Sequence, residues 1–128
     1  MKKVFYHGIT SGILAALAAS IYYKFYTEAM MLDYSKVANF ASISGSSIFG
    51  CLLASLGYFW FSKLIKWNTD VLFNALFILL SFASFIGPFS AELPLDIFAP
   101  ELFVGLSIPM HLFPVLFWIA SKPAFYKN

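Results

Sequence analysis

The sequence predicts an all-α fold, a four-helix transmembrane bundle running up-down-up-down with the N-terminus and C-terminus both cytoplasmic. Three observations predict it. The 128 residues are 61% hydrophobic and only 11% charged, whereas a soluble domain carries about 25% charged residues. Four segments, 4–25, 37–61, 71–88 and 99–121, approach or exceed the roughly 20 apolar residues that cross a bilayer as a helix. The lysines are also distributed unevenly between the two ends that those spans define. With no second composition regime along the chain, 1–128 reads as a single domain.

The first span, 4–25, follows Lys2 and Lys3. Its start, MKKVFYHGITSGILAALAAS, has the basic opening and apolar body of a secretory signal. The apolar run nevertheless continues through Ile21, Tyr22 and Tyr23, and the body is interrupted by His7, Gly8, Thr10 and Gly12. A true span is therefore expected. Gly8, Gly12, Ala16 and Ser20 recur every four residues and so share one helix face. In lipid, small residues let helix backbones approach, because apolar area gives no net drive to association.

The second span, 37–61, carries an equivalent stripe at Ser42, Ser46, Gly50 and Ala54. The two stripes are expected to meet each other, or one of them to form a contact between copies. The segment ASISGSSIFG adds Ser44 and Ser47, so hydroxyls point around more than one face. They either bond back to their own helix or line a small polar cavity. Cys51 is the lone cysteine, which excludes an internal disulfide and a CxxC pair.

The third span, 71–88, ends SFASFIGPFS, with Gly87–Pro88 as a break signal. Ser81, Ser84 and Asn74 share a face there. The fourth span, 99–121, contains Pro100, Pro109 and Pro114. Pro100 suits a first turn. Pro109 and Pro114 are interior, so each deletes a backbone hydrogen bond and crowds the preceding turn. A kink is expected, with carbonyls near Gly105, Leu106 and Met110 freed. His111 lies between the prolines and, while neutral, would bond one of those carbonyls or a serine on a facing helix. It is the one ionisable side chain expected near the midplane, and such residues are functional candidates by default.

Orientation follows from lysine retention on the cytoplasmic side. Lys2, Lys3, Lys63, Lys66, Lys122 and Lys127 fall at one end. Glu28, Asp33, Glu92, Asp96 and Glu101 fall at the other, with Lys24 and Lys36. Tyr22, Tyr23, Tyr26, Trp60, Trp67, Trp118 and Tyr126 are placed as interfacial aromatics. A multi-pass protein of the inner (cytoplasmic) membrane is expected.

The chemistry-bearing residues are sparse. The eight basic residues are all lysine and the net charge is +2, which gives no case for nucleic acid and weakens any bidentate anion site. His7 is expected at the rim, about ten residues from the depth of His111, so the two would not share a metal or haem. No other ligand cluster, nucleophile–base pair or phosphate loop occurs. No metal and no cofactor are expected. Glu101 follows Pro100 in a first turn, where the helix dipole favours a negative charge, and its side chain is expected to turn into the bundle. The acids at that end otherwise read as a solvated face.

Small multidrug exporters depend on a glutamate in their first helix, which HGITSGILAALAAS lacks. The mid-span asparagine and phenylalanine patterns of paired fluoride channels are absent, as are the several cysteines of the vitamin K reducing enzyme. At SFIGPFS, LSIPMHL and the small-residue second helix, however, the chain resembles an uncharacterised bacterial family of small four-helix integral membrane proteins, a domain of unknown function. The matching positions are Ser84, Gly87, Pro88, Met110 and His111, over residues 41–120. The resemblance implies fold and membrane location but no reaction.

Three functions remain. The first is a non-enzymatic bundle that binds membrane lipid, a small apolar ligand or a partner membrane protein. The second is a small homo-oligomeric transporter or channel, with His111, Glu101, Ser46, Ser47 and Ser84 as ligand or proton-path candidates. The third is a membrane enzyme using His111 as base, and it has no second catalytic group.

Overall fold

The computed structural model describes residues 1–36, 38–90 and 92–126. Val37, expected to open the second span, and Lys127, counted among the lysines at one end, lie outside them. The described residues form five helices: α1 (Lys2–Met30), α2 (Phe40–Leu64), α3 (Thr69–Ala83), α4 (Ile86–Ser90) and α5 (Leu102–Phe125). With α3 and α4 taken together as Thr69–Ser90, four helical stretches are long and apolar enough to cross a membrane. The molecule is an all-helical, four-span bundle.

Local sequence explains where the helices begin and end. α1 closes on Met31 in the left-handed region, φ 53°, whose N–H bonds back to Glu28. α2 starts at a reciprocal cap: the Asn39 side chain accepts from the Ser42 N–H at 2.9 Å, and the Ser42 hydroxyl accepts from the Asn39 N–H at 3.0 Å. Two otherwise orphaned donors are thereby satisfied. The third span breaks at Ser84–Phe85, ahead of the Gly87–Pro88 signal. The reason is that a proline disturbs the carbonyl four residues before it, which for Pro88 is that of Ser84. That carbonyl instead takes the Gly87 N–H at 3.1 Å.

The helices are packed unequally. α1 lies centrally, with its main contacts to α2 and α5. The share of buried residues in the most apolar window falls from 39% in α1 to 17% in the α3–α4 span. α3 therefore leans on a three-helix unit instead of completing a symmetrical bundle.

The stripe on α1 explains the close α1–α2 approach. A Cβ on Gly12 would lie 2.8 Å from the Ile48 Cα, and one on Gly8 would lie 2.9 Å from the Cys51 carbonyl oxygen. Ala16 is buried further along the same face, and Ser20 is half-buried. The expected partner stripe is not the one that meets it. α2 turns Ile48, Cys51 and Ser55 toward α1, while a Cβ on Gly50 would meet nothing within 4 Å. Ser55 donates to the Val4 carbonyl across this contact at 3.0 Å.

α5 remains one helix through Pro109, Pro114 and Pro123. Pro109 frees the Gly105 carbonyl, and the Tyr22 hydroxyl donates to it at 2.9 Å. Tyr26 donates to Leu102 at 2.7 Å and Tyr34 to Ala99 at 2.7 Å. Three tyrosines, two of them expected as headgroup aromatics, thus bind carbonyls three residues apart, from Ala99 just before α5 to Gly105 in its first turns. With Leu32, Ile97 and Leu106 they build the apolar cluster at the acid-bearing end. Outside the helices, Lys36 pairs with Asp96 across the two loops there.

Candidate functional site: a crevice between the second, third and last helices

Because α3 touches α2 chiefly at one end, the two helices part along their length. They are joined where Phe73 meets Tyr58 and Phe61, at ring-centre distances of 5.2 and 5.9 Å. Trp118 closes the joint from α5, fully buried and 5.8 Å from Phe73. From this aromatic apex a crevice of about 980 Å³ runs between α2, α3 and α5. That is near the top of the range for ligand pockets, roughly 300–1,000 Å³.

The small-residue stripe of α2 forms one wall of this crevice. Ser42, Ser46, Gly50 and Ala54 all line it. Their smoothness leaves room beside α2, whereas the α1 stripe closes room against it. The facing walls are apolar toward the apex, with Leu76, Phe77 and Leu80 on α3. Polar atoms gather in the other half: Ser47 on α2, Ser81 and Ser84 on α3, and Ser107 and His111 on α5. No lysine, aspartate or glutamate lines it among the described residues.

His111 sits nine residues into α5, about 13 Å along its axis, and is half-buried. Of the two partners expected for a neutral imidazole, a carbonyl freed by the prolines or a serine on a facing helix, it takes the serine. Its Nδ1 lies 3.0 Å from the Ser84 hydroxyl, and its ring meets Phe85 edge-on at 6.3 Å. The Gly105 carbonyl was already taken by Tyr22, so the imidazole turns to α3. Ser107, one turn earlier on α5, lies on the same face.

The remaining candidates divide. Ser84 and Ser47 stand with His111 on the crevice walls, Ser47 being 5% exposed. Ser46 lines the opening and donates to its own helix, to Ile43 at 3.1 Å. Glu101 does not turn inward: it is exposed and makes no side-chain cap. It precedes α5 at a solvated end, where water hydrates the carboxylate better than an apolar interior could. No group of three or more His, Cys, Asp or Glu side chains that could hold a metal occurs among the described residues.

A second polar cluster, at the lysine-bearing end, was not anticipated. His7, expected at the rim, is fully buried. Its Nε2 lies 2.9 Å from the Trp118 carbonyl, and its ring stacks on Trp118 with centres 4.0 Å apart. A carbonyl only accepts, so Nε2 carries the proton. Next to it the Ser11 and Ser121 hydroxyls are 2.9 Å apart. Lys122 turns back over the Tyr58 ring at 4.7 Å and pairs with Asp70 at 2.8 Å, and the Tyr58 hydroxyl donates to the same carboxylate at 2.5 Å. The placing of Trp118 as an interfacial aromatic is thereby corrected: four helices meet around it. The spacing Gly8-x-x-x-Gly12 was the signal available, since a close α1 backbone draws its neighbour His7 inward. Burial, then the nearby Asp70, pushes the Tyr126 phenol at the end of α5 up to about 12.

Fold and crevice together define a multi-pass, all-helical membrane protein with a side pocket. No family model matches the chain, and neither a curated protein nor a solved structure matches it.

Proposed function

We propose that this chain is a non-enzymatic membrane protein that binds a lipid or small apolar ligand in the crevice between α2, α3 and α5. The supporting observation is the crevice itself, about 980 Å³ with apolar walls and one cluster of serines beside His111. A binding role needs no nucleophile, and the Ser84 hydroxyl beside His111 is engaged with the Ser81 carbonyl at 2.6 Å. Lysine retention supports cytoplasmic N- and C-termini in an inner membrane. The resemblance at Ser84, Gly87, Pro88, Met110 and His111 supports kinship with the uncharacterised bacterial family.

The test is photolabelling in phosphatidylcholine vesicles doped with a diazirine-bearing fatty acyl probe. Labels concentrated on Leu53, Leu76 and Leu80, and lost in Gly50→Phe, are expected. Equal labelling of outward residues such as Phe5, Leu17 and Leu116, unchanged by Gly50→Phe, would refute binding in the crevice.

A proton- or cation-linked transporter is the second reading, favoured by the single imidazole on the crevice wall. It predicts vesicle flux that His111→Ala abolishes.

A further inference from the structure

We infer that the occupant of the crevice is an uncharged long-chain alcohol, whose hydroxyl donates a hydrogen bond to Nε2 of His111. This rests on the crevice as a binding site and names the chemistry of what it takes.

The inference follows from where the protons around His111 must be. The Ser84 hydroxyl lies 2.6 Å from the Ser81 carbonyl oxygen. A carbonyl has no proton to give, so the single hydroxyl proton of Ser84 is committed there. The helix end makes this necessary. The Phe85 N–H, which would normally reach Ser81, instead bonds Phe82 at 3.1 Å. Ser84 therefore satisfies a carbonyl that the break before Pro88 left open. With that proton used, the 3.0 Å contact between Ser84 and His111 Nδ1 can only be an N–H donated by histidine. In the neutral ring the other nitrogen, Nε2, is then a bare acceptor. Among the described residues Nε2 has no hydrogen-bond partner, and His111 lines the crevice.

The neighbouring hydroxyls sharpen the choice. Ser46 and Ser81 spend their protons on Ile43 and Phe77, at 3.1 and 2.8 Å. Ser47 and Ser107 line the crevice and make no hydrogen bond among the described residues, so they can serve a ligand oxygen. The head group that fits must donate to Nε2 and accept from serine. A hydroxyl does both. A phosphate or carboxylate anion offers only acceptors, meets the Nε2 lone pair, and finds no lysine in the lining to offset the loss of its hydration. The apolar walls toward Phe77 and Phe73 take the chain.

The test is competition in phosphatidylcholine vesicles against a diazirine-bearing hexadecanol that labels the crevice. Unlabelled hexadecanol should displace the probe at about tenfold lower mole fraction than hexadecyl methyl ether, which lacks the donor but keeps the chain, the size of one hydrogen bond. The preference should vanish in His111→Leu. It should fall in Ser84→Ala, which keeps the histidine but releases its tautomer. Equal displacement by alcohol and ether, stronger displacement by hexadecyl phosphate, or a preference that survives both substitutions would overturn the inference and leave crevice binding standing. Failure of every probe to label the crevice would overturn both.

Discussion

Gly12→Ala is the sharpest test of how the bundle is held. The added methyl carbon would lie 2.8 Å from the Ile48 Cα and 3.4 Å from the Cys51 Cβ. Carbon atoms pack at about 3.5–4.0 Å, so α1 and α2 must separate by roughly 1 Å at this point. Neither obstacle is the tip of a flexible side chain; Ile48 presents backbone. A gap of that size forfeits about a quarter to a half of each neighbouring contact. With backbone as the obstacle the cost falls in the upper part of the about 1–3 kcal/mol typical of overpacking, and the gain of up to ~1 kcal/mol that alanine brings as a helix former leaves about 1–2 kcal/mol. Cys51 supplies the assay, being the lone cysteine and fully buried against α1. When opening is fast relative to alkylation, maleimide labelling tracks the population of the open form. The rate should therefore rise about 5- to 30-fold in Gly12→Ala, at tenfold per 1.4 kcal/mol. Gly50→Ala, where the new carbon meets nothing within 4 Å, should leave the rate unchanged or lower it. A Gly12→Ala protein that labels no faster than the parent would refute the close-contact account of the α1–α2 pair.

Other substitutions probe the remaining contacts. Tyr22→Phe should cost about 1–2 kcal/mol, because the Gly105 carbonyl freed by Pro109 loses its donor, and the loss should shrink in a Pro109→Ala background; equal losses in both, by denaturant titration, would disconnect the two. Trp118→Ala removes the ring on which His7, Phe73 and Phe77 pack, and unfolding measured by steric trapping should show a loss of about 3–5 kcal/mol. In the loops, the hydrogen bond from Lys36, aided by its charge, holds Asp96 below the usual carboxylate range, and hydrogen bonds from Ser35 do the same for Asp33. Their stabilisation is fully present above the unfolded value, about 4, and lost as pH falls through the lowered folded values. Amide protection factors around Leu32 and Tyr34, which divide out the intrinsic pH dependence of exchange, should therefore fall only on acidification below about pH 4, and should fall less in Asp96→Asn with Asp33→Asn.

The helical spans were legible because hydrocarbon demands long apolar runs, and those runs stand out in a chain so poor in charge. The break in the third span was legible in kind but shifted in place, since Pro88 acts on Ser84 and not on its own neighbours. What could not be read was which small stripe faces which helix. In water a polar face points outward, but here both the α1-facing side of α2 (Cys51, Ser55) and its crevice side (Ser46, Gly50) carry small and polar residues. Only three-dimensional packing separates them. The enclosure of Trp118 and of His7 escaped the sequence for a related reason. Position near a span end predicts the headgroup layer, yet Gly8 and Gly12 bring the backbones so close that both rings are enclosed. That His111 would bond a serine on a facing helix was legible, but which serine was not, because the Ser84–His111 pair joins two helices at no regular spacing.

The cleft beside α2 has a consequence for how its contents would be measured. A void that opens sideways into a bilayer never stands vacant, because the surrounding acyl tails occupy it as soon as nothing else does. Loading this protein is therefore an exchange of one chain for another. Its apparent strength would scale with the mole fraction and kind of the lipids displaced, and a dissociation constant quoted without the host membrane would have no fixed meaning.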